Sequence, residues 1–253
     1  MRPRILVVND DGIYGEGLRP LAKALAPLGN VAVVVPEKEQ SAASHAITLH
    51  KPIRLRRLDD TFTIINGTPA DCVRFGALCL LKEKVDLVVS GINRGANMGA
   101  DTLYSGTVGA AKEACFLGFR AMAVSMMQPA EKHYDAAARV AARVAKMLLK
   151  TAPPPNVCLN VNVPHRPWAA LKGAAVTYLG KRLYGRDHAP RMDPRGQAYY
   201  WMAGQIPKSL PAPGSDLDAV QKGKVSITPI RLDLTDGDAL VALRQWRWDK
   251  LLG

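Results

Sequence analysis

Asp10 and Asp11 stand side by side in "RILVVNDDGIYGEG" (residues 4–17), directly after the apolar run 5–8 and Asn9. A short continuous apolar run reads as a buried strand, so two like charges close a strand otherwise stripped of polarity. Adjacent carboxylates repel each other, and each resists leaving water. Two arrangements accommodate them. One aspartate caps a following helix while the other faces solvent, or a cation lies between them. Two further polar loops follow later apolar runs: "VPEKEQSAASHAITL" (35–49), with Ser41, and "SGINRGANMGADTLYSGTVGAA" (90–111), with Asn93, Asn97, Ser105, Gly106 and Thr107. The Ser105-Gly106-Thr107 turn precedes a helical pattern. Such a turn presents unpaired N–H groups and the positive end of the helix dipole, which together form an anion site; the plain alternative is a hydroxyl cap on a flexible turn. Asn93 and Asn97 can equally serve as turn residues. His45 reads as a loop histidine rather than a catalytic one.

Taken jointly, carboxylates, hydroxyls such as that of Ser41 and amides such as that of Asn93 are hard oxygen donors. They favour Mg²⁺, Mn²⁺ or Ca²⁺ over zinc. A divalent ion between Asp10 and Asp11 offsets their repulsion, and a metal beside a phosphate cradle points to phosphate-ester hydrolysis by metal-activated water. Other readings of the acidic pair fail on spacing. The order Asp-Asp-Gly is not the Asp-x-Asp of haloacid-dehalogenase-type phosphatases, and a receiver domain is about half this length. Gly12, Gly15 and Gly17 do not form a dinucleotide fingerprint. The cysteines, Cys72, Cys79, Cys115 and Cys158, match no zinc or redox spacing and read as reduced core residues. A net charge of +12 favours anionic partners. The basic residues are scattered, with no aromatic RNA-binding signature, so a small anionic substrate is expected and nucleic acid is not. No apolar run approaches a membrane span and no leader pattern opens the chain; no membrane partner and a cytoplasmic location are expected.

The elements that must position these loops follow from periodicity. Strand-like segments lie at 4–8, 31–35, 85–90, 121–125 and 157–163, and helix-like stretches at 17–28, 70–82, 107–117 and 131–150. Continuous apolar strands alternating with amphipathic helices predict an α/β fold: a mostly parallel sheet with helices on both faces. Ligands of such sheets gather outside the carboxyl ends of the strands, where all three polar loops fall. Residues 52–66 read as an inserted strand or hairpin. From 165 to 215 the chain is rich in Pro, Gly, Arg and Tyr, with short β-like pieces ("AAVTYL", "QAYYWMAG") and no convincing helix. "GKVSITPIRLDLT" reads as a further strand and "LVALRQWRW" as a short terminal element with exposed aromatics. The expected organisation is one domain, with a core over 1–164 and a β-rich extension over 165–253.

The segments "ILVVNDDGIYGEGLRPLAKAL", "VVVPEKEQSAASHAITL", "NGTPADCVRFGAL", "DLVVSGINRGANMGADTLYSGTVGAAKEA" and "GSDLDAVQKGKVSITPIRLDLT" closely resemble the SurE (survival protein E) family, in the family's order and over nearly the whole chain. The resemblance implies a Rossmann-like core with a β-rich C-terminal extension that helps build homodimers or homotetramers. It implies a phosphoric monoester hydrolase, a metal-dependent phosphatase acting on nucleoside 5′- and 3′-monophosphates, with possible cleavage of short polyphosphate. One divalent ion per subunit, Mg²⁺ or Mn²⁺, is implied. Asp10, Asp11, Ser41 and Asn93 match the family's metal ligands. Asn97 and the turn Ser105, Gly106 and Thr107 match the loop that receives phosphate, and Asn66, Gly67 and Thr68 match a segment bordering the same cleft. Two positions depart from the family pattern: Ala42 stands where glycine is expected, and Lys224 where tyrosine is expected. A reading from another class is a regulatory module that binds nucleotide without hydrolysing it.

Overall fold

The computed structural model describes residues 2–82, 84–127, 134–184, 190–200 and 208–251. Its strands are β1 (Arg4–Val8), β2 (Asn30–Pro36), β3 (Leu55–Arg57), β4 (Phe62–Ile65), β5 (Leu87–Arg94), β6 (Ala121–Met126), β7 (Val157–Val163), β8 (Ala174–Val176), β9 (Lys181–Leu183), β10 (Arg191–Met192), β11 (Ala198–Tyr199), β12 (Lys208–Leu210) and β13 (Val225–Arg231). The helices are α1 (Leu18–Leu25), α2 (Pro69–Arg74), α3 (Gly106–Phe116), α4 (Tyr134–Lys150), α5 (Asp216–Gln221) and α6 (Gly237–Leu243). Nine strands form one sheet in the order β3-β4-β2-β1-β5-β6-β7-β13-β8. The run β4-β2-β1-β5-β6-β7 is parallel throughout, whereas β3 and β13 pair antiparallel with β4 and β7.

Why the central strands are continuously apolar is visible in their two faces. Along β1, Ile5 and Val7 join a core beneath α1 and α4, while Leu6 and Val8 join a second core beneath α2 and α3. All four are fully buried, as expected of a strand covered on both sides. Helix α1 buries Leu18, Leu21, Ala22 and Leu25, spacings of three and four that place them on one face. Helices therefore cover both faces, as the sequence pattern predicts, and the fold is Rossmann-like.

Some elements differ in extent from expectation. β5 runs on past Ser90 through Gly91, Ile92 and Asn93 to Arg94, so a segment that reads as loop continues the strand, with a register shift between Gly91 and Asn93. The helix expected over 70–82 is α2 followed by a π-helical turn, Phe75–Leu80. The start expected for α4, residues 131–133, lies outside the described residues. Residues 52–66, expected as an inserted strand or hairpin, form a hairpin, β3 and β4, and β4 is an integral member of the sheet. From the C-terminal region, β13 and β8 extend the same sheet, while β9 with β12 and β10 with β11 form two small ribbons.

The chain moves outward from β1 to β2 and β4, then returns to β5 on the other side of β1. The carboxyl ends of β1 and β5 therefore flank the point where strand order reverses, the place where open α/β sheets bind ligands.

Candidate active site

At that switch point lies a cavity of about 390 Å³ whose lining includes Asp10, Asp11, Ser41, Asn93, Asn97 and Ser105. Three loops thus converge, one after each of β1, β2 and β5. Asp10 is buried, 5% exposed, and both its oxygens are held by one residue at the start of α3. The Thr107 N–H donates to Oδ2 at 3.0 Å and the Thr107 hydroxyl to Oδ1 at 2.5 Å. Burial pushes the Asp10 carboxyl above its ordinary value, against the pull of these bonds. Asp11 is pushed up to about 6 by burial and by the charge of Asp10. Each carboxylate is thus destabilised as an anion, and a cation between them reverses both shifts. Asn9, next to the pair, donates from Nδ2 to the Gly12 carbonyl at 2.8 Å; its buried Oδ1 finds no partner among the described residues.

The loop after β2 is tied to the first by the Gln40 N–H, which donates to the Asp10 carbonyl at 2.8 Å. Ala42, where glycine is expected, holds a left-handed φ of 61°. That conformation costs a Cβ-bearing residue more than glycine. Asn93 donates from Nδ2 to the Gly95 carbonyl at 2.7 Å, which leaves Oδ1 as its oxygen donor. Asn97 is fixed from beneath: its N–H donates to Asn162, its Nδ2 to Ser125, and its carbonyl accepts from Asn160 and Asn162. Ser105 caps α3, its hydroxyl accepting from the Val108 N–H at 3.1 Å.

Not every residue singled out from the sequence faces the cavity. Thr107 is fully buried, and its bonds to Asp10 give its donors an acceptor within the protein. Gly106 packs against the same carboxylate, since a Cβ there would lie 3.1 Å from Asp10 Oδ2. Asn66 bonds to the hairpin, its Oδ1 accepting from the Arg54 N–H and its Nδ2 donating to the Pro52 carbonyl. Gly67 sits against Asp71, and Thr68 caps α2 in a reciprocal box with Asp71. Lys224 is exposed, just before β13.

Several residues that sequence reasoning missed shape the site. Asp101 lines the cavity and accepts from Arg182 and from the Tyr184 hydroxyl, so the ribbon of β9 closes one wall. Burial and the bond to Asp101 push the Tyr184 phenol up to about 12. Asp216 is fully buried and accepts N–H bonds from Gly99, Gly180 and Leu217, joining the cavity loop to the extension. Asn160 and Asn162 carried a readable signal: two amides on one face of the otherwise apolar "VCLNVNV".

The donor chemistry fits a hard divalent cation: two carboxylates completed by neutral hydroxyl and amide oxygens. Among the described residues no group of three or more His, Cys, Asp and Glu could hold a metal ion. Ser41 and Asn93 line the same cavity as the pair. No described helix is long and apolar enough to cross a membrane.

A family model described as Survival protein SurE matches residues 5–186. A Geobacter sulfurreducens protein named 5′-nucleotidase SurE is 46% identical over 243 residues, 96% of this chain and 93% of that protein. One of the same name from Moorella thermoacetica is 46% identical over 237 residues, covering 92% and 91%. The crystal structure of SurE protein from Aquifex aeolicus superposes with a TM-score of 0.86 at 37% identity, over 96% of this chain and 98% of that one.

Proposed function

The chain belongs to the survival protein SurE family, and from that membership we propose that it is a 5′-nucleotidase, a metal-dependent phosphatase releasing phosphate from nucleoside 5′- and 3′-monophosphates. Short polyphosphate is a side substrate in this reading. Homologues spanning nearly the whole chain carry the 5′-nucleotidase name. The observation that carries the reading here is the acidic pair at the sheet's switch point, with each carboxyl raised by burial and Asp11 also by its neighbour's charge.

Asp10, Asp11, Ser41 and Asn93 are the residues we assign to one Mg²⁺ or Mn²⁺ ion. Bound there, a divalent ion supplies Lewis-acid stabilisation of a phosphoryl oxygen and an acidified water. The protein's own part is positioning. Thr107 fixes the plane of the Asp10 carboxylate, and Asn97, with one amide hydrogen on Ser125, has a second for the substrate. Ser105 presents its side to the cavity from the α3 N-terminus, and Arg94 adds a cation at the cavity wall for an incoming phosphate. Gly106 and Thr107 act through Asp10 in this assignment. We further propose a cytoplasmic enzyme working as a homodimer or homotetramer, its core over 1–164 and its extension over 165–253.

Phosphate release from AMP with added Mn²⁺ tests the reading. Asp11→Asn is expected to bring release close to background with the circular dichroism spectrum unchanged. Near-wild-type turnover by this variant in metal-free buffer would exclude metal dependence. A wild-type chain that binds AMP without releasing phosphate would make it a nucleotide-binding module.

A further inference from the structure

Ser41 is the least anchored of the assigned donors. It is exposed, and the hydrogen bond its hydroxyl donates is to Glu39, in the same loop, at 2.6 Å. The loop is fastened on either side of it. Upstream, Gln40 bonds the Asp10 backbone. Downstream, the Ser44 N–H donates to the Tyr104 carbonyl at 2.9 Å and its hydroxyl to the Leu103 carbonyl at 2.7 Å. His45 Nε2 then lies 2.7 Å from Glu113 Oε2. Glu113 is 4% exposed and sits on α3, the helix whose Thr107 holds Asp10. Its other oxygen takes Arg74 Nη1 at 2.6 Å.

We propose that Glu113 is a positioning residue of the metal site: through His45 it fastens the Ser41 loop to the helix that holds Asp10. One helix then sets the separation between the acidic pair and the hydroxyl donor. The inference rests on the metal-dependent phosphatase reading.

Two physical arguments support it. A buried carboxylate is costly unless both its charge and its lone pairs are satisfied. Arg74 satisfies the charge from a partly exposed position, and the remaining oxygen is spent on a loop residue four places from Ser41. The backbone is shaped for the same contact, because a Cβ on Gly109 would overlap the Ser44 carbonyl oxygen and come within 3.1 Å of the His45 Cα. Glycine on the loop-facing side of α3 lets the loop lie against the helix, and the His45–Glu113 hydrogen bond one turn further on holds it there.

The test measures Mn²⁺ affinity of the full-length chain from the free-Mn²⁺ electron paramagnetic resonance signal, alongside melting of the metal-free protein. Partners that orient metal ligands typically contribute 10–100-fold in affinity, so His45→Leu is expected to weaken Mn²⁺ binding about 10-fold in a metal-free protein that is still folded at the assay temperature, its melt lowered by the oxygen of Glu113 left without a partner. His45→Gln keeps an N–H donor for Glu113 and is expected to recover most of that loss. Glu113→Leu, which leaves His45 no partner on α3, is expected to weaken binding as His45→Leu does; should either variant fail to fold, the other carries the test. Wild-type affinity in the variants that fold, or equal losses in His45→Leu and His45→Gln, would overturn the inference. A wild-type chain that binds no Mn²⁺ overturns the metal reading itself, a different result.

Discussion

In the proposed assignment, Asp10 is oriented as a metal ligand by its own neighbours. Buried as an anion it is destabilised, and the two donors of Thr107 offset part of that cost while fixing which way its oxygens point. Hydrogen bonds to a charged acceptor are worth more than neutral ones, about 1.5–3 kcal/mol each, so the hydroxyl is a substantial share of what holds the carboxylate. Thr107→Val removes that bond, keeps the shape and keeps the N–H donor. The expected outcome is Mn²⁺ binding weakened about 10-fold by isothermal titration, with a matching fall in kcat/KM for AMP at subsaturating metal. Thr107→Ser, which keeps the hydroxyl, should stay close to wild type. Equal affinity in the valine variant and wild type would show that the N–H alone orients Asp10.

At the scale of elements, α3 is the piece on which the site depends. Its first turn meets Asp10 and its middle meets the 41–46 loop; a Cβ would crowd the first contact at Gly106 and overlap the second at Gly109. Gly109→Ala places a methyl group where the Ser44 carbonyl oxygen lies, so the loop must move outward and carry Ser41 with it. Loss of most phosphate release is expected, with helical content retained by circular dichroism; an active Gly109→Ala enzyme would mean that the loop tolerates the displacement. The main strands and helices of the core were legible in the sequence, because burial on two faces demands continuous apolar strands and amphipathic helices; the short α5 and α6 were not, being too short to show a period. The convergence of the three polar loops was legible too, since parallel strands send their carboxyl ends to one edge. What each side chain touches was not. Nothing local in "YSGTVGAA" says that Thr107 turns inward to a carboxylate 97 positions away, nor that Asp216 gathers N–H groups from Gly99 and Gly180. Such pairings are set by which elements pack together. β5 was misjudged for the opposite reason: Gly91 to Asn93 carry the residue types of a turn, yet pairing with β6 keeps them in the strand.

For the whole molecule, the unanswered physical question is what the C-terminal segment packs against. Residues 233–251 are exposed throughout, and α6 has no buried residue. The segment nevertheless holds Leu234 at 79%, Trp246 at 63%, Trp248 at 50% and Leu251 at 71% exposure, with the two indoles stacked 5.6 Å apart. Tyr199 and Tyr200 are also exposed, while Trp201 lies outside the described residues. Isolated helices shorter than about 12–15 residues are marginal in water, and α6 has seven, so its own propensity does not account for its order. Exposed apolar side chains of this kind are what the interface of the proposed homo-oligomer would cover. A second copy of the chain is the partner that the proposed homo-oligomer supplies. Multi-angle light scattering of the full chain at micromolar concentration is expected to give a dimer or tetramer mass. Deleting residues 233–253 should shift it toward monomer, with the core over 1–164 still folded. Tryptophan emission should move to the red when the full chain is diluted through its dissociation range, because Trp246 and Trp248 then pass from an interface into water. A full-length chain that stays monomeric at every concentration, with red-shifted emission throughout, would show that this segment is a solvated appendage and that the active site is complete within one subunit.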